Sequence, residues 1–145
     1  MVITGDGPAR DSIKSLISKH NLEDKIILVG FCKPFELPYY YSAADVFVTA
    51  SAFETQGLAM LEAMACGKPV VGADSLAIPE SLKSDANGYL FRPHDAQDCA
   101  DQIEKIFHAS PAKCARLAKG ARRTAEGLSV EKSTGRLLEA YSLVR

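Results

Sequence analysis

Short runs of β-branched and aliphatic residues alternate along this chain with longer stretches of helical periodicity, and that rhythm leaves few folds open. Parallel strands need a crossover of about a dozen residues or more, usually a helix, so the alternation predicts a parallel sheet covered by helices. Met1-Thr4 reads as the first strand, stopped by "GDGP" and followed by a helix from Ala9 to His20, for which Asp6 and Pro8 serve as cap and start. In that helix Ile13, Leu16 and Ile17 have the three-and-four spacing of one buried face. "KIILVG" is the second strand, Glu36-Ala43 a short helix, and "DVFVTA" the third strand. A very apolar helix within "FETQGLAMLEAMAC" leads to the fourth strand, "GKPVVGAD", with Gly67 as the helix stop signal, and "GYLFRP" is the fifth. Beyond Pro93 the pattern is helical throughout. "DAQDCADQIEKIF" begins on Asp95 as a cap, "PAKCARLAKGARRTAEG" follows, and "SVEKSTGRLLEAYSLVR" opens on Ser129 at an N-cap position. The predicted fold class is α/β, a doubly wound parallel sheet with a helical C-terminal tail. The 145 residues hold no repeat or linker, so a single domain over 1-145 is expected.

Charge and cysteine usage narrow the function. A formal net charge of -1 provides no clustered basic face for nucleic acid, and small polar or anionic ligands fit better. Cys32, Cys66, Cys99 and Cys114 form no C-x-x-C pair and read as reduced thiols. His20, His94 and His108 are dispersed and make no ligand-spaced cluster with them, so no metal site is expected. No apolar stretch approaches the ~20 residues needed to span a bilayer, and a cytoplasmic location is expected.

Ligands of doubly wound sheets bind beyond the carboxyl ends of the strands. That edge consists here of "GDGP", "GFCKP", "ASAFETQG" and "GADSLAIPE". A helix starting near Gly57 would present the amides of Gly57, Leu58 and Ala59 together with the positive end of its dipole, a seat for a diphosphate. Glycine at position 57 would let a ligand approach the backbone closely. One turn further in, Glu62 is the one charge between Leu58 and Cys66, on the same stripe as Leu58. A carboxylate there suits a vicinal diol such as a ribose. Equally, it suits a helix glutamate that reaches solvent or pairs with a lysine such as Lys68. Glu54, on the preceding loop, reads as a surface residue or as a second site carboxylate. "YYY" at Tyr39-Tyr41 reads as packing in preference to a stacking platform, and the basic residues Lys119, Arg122 and Arg123 as a solvated helix face.

Glu54, seven intervening residues and Glu62, inside "SAFETQGLAMLEAMACGKPVV", resemble the E-x7-E signature of the retaining glycosyltransferases of family 4, whose GT-B fold pairs two Rossmann-like domains. The resemblance runs nearly end to end, through "VITGDGPARDSIKSLI", "DKIILVGF", "YYSAADVFVTAS", "IPESL", "NGYLFRP" and "LSVEKSTGRLLEAY". It implies the donor-binding domain of an enzyme that moves a hexose from a nucleotide-diphosphate sugar to a glycan or lipid acceptor. By the same likeness Glu62 holds the ribose, and the backbone at Gly57 and Leu58 holds the diphosphate. Glu54 and the amides of Thr55 and Gln56 hold the donor sugar, with Glu54 near the anomeric carbon as the catalytic residue, and Phe31 and Cys32 lie along the base. Such enzymes work without a metal or other cofactor, since a helix N-terminus and basic side chains stabilise the leaving diphosphate.

The resemblance also implies missing partners. Family members place a first strand, an Arg and a Lys before "VITGDGP", and a whole N-terminal acceptor domain before that, so the chain is expected to be a fragment, inactive alone. Ala50-Ser51 stands where many members have Pro-Ser, and "ETQG" replaces the commoner E-G-F-G. The latter is similar to members that glycosylate diacylglycerol, and a lipid acceptor would bring the full protein to the inner membrane face. The alternative function is a non-catalytic module that binds a nucleotide or nucleotide sugar and acts with a partner chain. A phospho-accepting receiver shares the sheet but needs an acidic pair after its first strand, where Asp6 stands alone.

Overall fold

The computed structural model describes residues 1–143. They form two compact units, Met1–Leu37 and Pro38–Arg145. In the first, β1 (Val2–Thr4) and β2 (Ile27–Gly30) are parallel and α1 (Arg10–Lys19) connects them. Val2 lies opposite Ile27 and Ile3 opposite Leu28, after which the register slips and Thr4 faces Gly30. The Gly5 amide then donates to the Gly30 carbonyl at 2.7 Å and closes the pair. Asp6 does not cap α1 as expected. Its carboxylate accepts from the adjacent Gly7 amide at 2.8 Å and pairs with Arg10 at 3.6 Å, and the N-cap position belongs to Ala9, which makes no side-chain bond.

The second unit carries α2 (Leu37–Ala43, whose first residue is the last of the first unit), β3 (Phe47–Thr49), α3 (Leu58–Ala65), β4 (Val70–Ala73), α4 (Ile78–Ser81) and β5 (Gly88–Phe91). Three long helices follow: α5 (Ala96–Phe107), α6 (Pro111–Gly127) and α7 (Val130–Ser142). The sheet order is β3-β4-β5, all parallel. The strands expected in one sheet are therefore bonded as two ladders, β1-β2 and β3-β4-β5, and β1 and β3 each keep one edge without a strand partner among the described residues.

β4 is buried along its whole length because both of its faces are covered. Successive strand residues point to opposite sides of a sheet. Val70 accordingly joins a cluster with Met60, Met64, Ile78, Leu82 and Ala121, while Val71 joins Tyr89, Phe91, Ile106 and Leu117. Each fully buried aliphatic side chain of this kind contributes roughly 1.5–3 kcal/mol relative to exposure. The apolar α3 thus packs Met60, Ala63 and Met64 inward.

Helix ends follow the sequence closely. Asp95 accepts from the Asp98 amide at 2.9 Å, Ser110 from Lys113 at 3.3 Å and Ser129 from Lys132 at 3.4 Å. The end of α3 is a Schellman turn: the Gly67 amide donates to the Met64 carbonyl at 2.9 Å and the Lys68 amide to that of Ala63 at 3.0 Å. The four-residue α4, expected as loop, is too short to carry a period. The last residues of the segment expected as the closing helix, 144 and 145, lie outside the described residues.

Candidate functional site

α3 rises out of the loop that follows β3, and the loop is tied down from the β4 side. The Ser75 hydroxyl donates to the Ala52 carbonyl at 2.9 Å, and the Ala77 amide to the Glu54 carbonyl at 3.2 Å. Glu54 then turns its side chain along its own backbone. One oxygen, Oε1, accepts from the amides of Thr55, Gln56 and Gly57 at 3.0, 3.2 and 3.0 Å. These three bonds, Gly57's foremost, hold the carboxyl below the usual glutamate range, against a smaller upward push from partial burial. Glu54 is therefore ionised at neutral pH, with Oε2 outside the ring of amides.

This arrangement corrects the expectation of a bare tip at Gly57. The Gly57 amide is already bonded, and so are those of Thr55 and Gln56, all to Glu54. Among the described residues no acceptor meets the amides of Leu58 and Ala59, so the open part of the tip begins one residue later. The reason for glycine at position 57 also changes. Gly57 is buried, with φ 69°, a left-handed conformation that side chains disfavour, and a Cβ there would meet Met60 Cε at 3.1 Å and Ile78 Cδ1 at 3.8 Å. Its bareness serves the turn and the core in place of ligand approach.

Glu62 stands one turn into α3 on the exposed stripe it shares with Leu58, which is 60% exposed. Its Oε2 accepts from the Tyr41 hydroxyl at 2.9 Å. The pairing with Lys68 weighed from the sequence does not occur, because Lys68 Nζ donates to the Ser42 carbonyl at 2.9 Å. Burial first, and the Glu62 bond second, push the Tyr41 phenol well above its ordinary pKa, so it remains a neutral donor. Tyr41 is the residue that sequence reasoning undervalued. It packs as expected, but 21 residues separate it from Glu62 and no spacing rule links a residue of α2 to one of α3.

Phe31 and Cys32 follow β2 in the first unit. Phe31 is 78% exposed, and the Cys32 thiol reaches the Gly30 carbonyl at 3.7 Å. Two open hollows border α6. One, of about 470 Å³, is lined by Gly67, Ala118, Lys119, Arg122, Arg123 and Glu126; the other, of about 430 Å³, includes Glu80, Arg123 and Leu128. The Arg122 charge in the first is taken up by Glu126 at 3.2 Å. Among the described residues no group of His, Cys, Asp and Glu is placed to hold a metal ion, and no helix is long and apolar enough to cross a membrane.

The elements form a parallel α/β architecture, with α3 entered through a loop held by Glu54. The chain belongs to the glycosyl transferases group 1 family, whose model matches residues 1–124. It is 36% identical over 107 residues to the sulfoquinovosyl transferase of Arabidopsis thaliana, covering 72% of this chain and 20% of that protein. It is 33% identical over 111 residues to the alpha-monoglucosyldiacylglycerol synthase of Streptococcus pneumoniae, covering 77% and 25%. Among solved structures, the Anabaena HepE protein in complex with UDP-glucose superimposes with a TM-score of 0.81 at 28% identity, covering 99% of this chain and 40% of that one. The chain thus spans less than half the length of each of these relatives, and its fold is that of one half of a GT-B glycosyltransferase.

Proposed function

We propose that the chain is the donor-binding part of a retaining glycosyltransferase that moves a hexose from a nucleotide-diphosphate sugar to a glycan or lipid acceptor. The observation that carries this reading is the juxtaposition on α3 of open amides at Leu58 and Ala59 with the exposed carboxylate of Glu62 one turn further in. The amides suit the diphosphate and the carboxylate suits the ribose diol. The relatives support the same class: HepE binds UDP-glucose, and the Streptococcus pneumoniae enzyme is a glucosyldiacylglycerol synthase, a lipid product that agrees with "ETQG".

Glu54 completes the proposal. A carboxylate held ionised by three amides cannot donate a proton at neutral pH, but its free oxygen stabilises positive charge growing at an anomeric carbon as the diphosphate leaves. Departure and attack on the same sugar face would give retention. Turnover would require an acceptor-binding part besides these residues, in keeping with the chain's covering 20%, 25% and 40% of the three relatives.

Calorimetry with a panel of UDP-, GDP- and ADP-sugars, run in EDTA, tests the reading. One nucleotide class is expected to bind, and Glu62→Ala to weaken it by about 1–3 kcal/mol through loss of a charged hydrogen-bonded contact. Unchanged affinity in that variant would remove Glu62 from the site.

A further inference from the structure

We propose that Tyr41 is the positioning residue of the donor site, locking the Glu62 carboxylate in the plane from which it accepts both hydroxyls of a ribose; this rests on the donor-binding reading above. Glu62 lies on an exposed helix face, where a glutamate with three side-chain torsions samples several rotamers. Tyr41 has no such freedom. It is 9% exposed, and its ring meets that of Phe47 edge-on at 5.7 Å and 77°. Packing therefore fixes the hydroxyl in space, and the 2.9 Å bond from it to Oε2 passes that fixity to the carboxylate. An ionised carboxylate has about four acceptor positions, so one bond to Tyr41 leaves enough for two hydroxyl donors.

The chemistry of the donor matters as much as its position. Among the described residues no lysine or arginine pairs with Glu62, and Lys68, the nearest candidate by sequence, is committed to the Ser42 carbonyl. A neutral phenol orients the carboxylate without neutralising it, and leaves its full charge for the sugar hydroxyls. Burial first, and its bond to Glu62 second, keep the proton on the Tyr41 oxygen, so at neutral pH it stays a donor.

The test is a double-mutant cycle on the purified protein with Tyr41→Phe, Glu62→Ala and the pair, read by calorimetry with UDP and 2′-deoxy-UDP, or the guanine pair if the donor panel selects it. Wild type is expected to favour the ribonucleotide. Tyr41→Phe keeps the ring against Phe47 and should cost about tenfold in ribonucleotide affinity and less in deoxynucleotide affinity, which has only the 3′-hydroxyl contact to lose, so that the preference between them shrinks. In the Glu62→Ala background the same substitution should have no further effect. The preference is a ratio within one sample and is therefore readable even if the variant melts lower. Full retention of the preference in Tyr41→Phe, with Glu62→Ala still weakening binding, would overturn the positioning role and leave the donor-site reading intact. No effect of Glu62→Ala on ribonucleotide affinity would overturn both.

Discussion

Glu54→Gln is expected to lower sugar transfer by the complete enzyme about 10²–10³-fold, the usual loss when one preorganised stabiliser of transition-state charge is removed. The substitution separates charge from geometry. A glutamine Oε1 can still accept from the amides of Thr55, Gln56 and Gly57, so the turn into α3 keeps its bonds without their charge assistance, and the melting temperature should fall only modestly. What is lost is the negative charge that the proposed function sets beside the anomeric carbon. Donor affinity should change little, since the effect belongs to the transition state and falls on kcat in place of KM. The same amides set the pH dependence. They lower the folded pKa of Glu54, so the ionised form, and the share of stability it brings, is fully present above the ordinary glutamate value near ~4.3 and is lost only as pH falls through the still lower folded value. Transfer should therefore show no acid limb from this residue above pH ~4.3. Measured kcat within a few-fold of wild type in Glu54→Gln would take Glu54 out of the chemistry and leave it as a cap for the loop.

That double role shows where sequence reading succeeds and where it runs out. The alternation of strands and helices, the caps at Asp95, Ser110 and Ser129 and the Gly67 stop are local signals, and local hydrogen bonding realises them. At Ser110 the signal is Ser followed by Pro, as plain a helix start as the other two. That Glu62 shares a stripe of α3 with Leu58 is legible from helical spacing, but that this stripe faces outward is not. What the sequence concealed are the partners. Whether Gly57 offers its amide to a ligand or to Glu54 depends on the left-handed turn that folds the Glu54 side chain back over three successive amides, and residue types do not encode that turn's direction. The partner of Glu62 is hidden for a similar reason. Lysine is the default partner for a lone carboxylate, but Lys68 sits just past the Schellman turn, where its amine reaches the end of α2 and bonds Ser42. Tertiary packing brought a buried tyrosine to the carboxylate instead.

The site loop depends on the sheet edge behind it. Ser75 and Ala77, which hold Ala52 and Glu54, leave the end of β4, and β4 is kept in register by β5 from Val70 opposite Gly88 to Ala73 opposite Phe91. Changes at the far end of that pair should reach the site through stability before they reach it through geometry.

Asn87→Ala is accordingly expected to destabilise the second unit by about 3 kcal/mol or more while altering none of the proposed ligand contacts. Asn87 is 2% exposed and stands in the connection between α4 and β5. Its Oδ1 accepts from the Lys83 amide at 2.8 Å, and its Nδ2 donates to the Ser81 carbonyl at 2.8 Å and to the Thr124 hydroxyl at 2.9 Å. One side chain therefore stitches the connection to itself and to α6. Alanine would leave a donor and two acceptors without their partner. Whether they recover through water decides the size of the effect: Ser81 and Thr124 border the open hollow beside α6, whereas the turn at Ala86 is sealed by that helix. A Cβ built on Gly120 would lie 2.0 Å from the Ala86 carbonyl oxygen, so helix and turn are in direct backbone contact with no room for solvent between them there. Buried polar groups that stay dry and unpaired cost about 1–3 kcal/mol each. Thr124→Val removes one of the three bonds together with the hydroxyl's own 3.1 Å bond to the Gly120 carbonyl one turn back, and should cost about 1 kcal/mol, which gives the comparison an internal scale. Urea unfolding with an unchanged m-value measures both. An Asn87→Ala midpoint no lower than that of Thr124→Val would mean that water replaces the lost partner, and that the turn is looser than its contact with α6 implies.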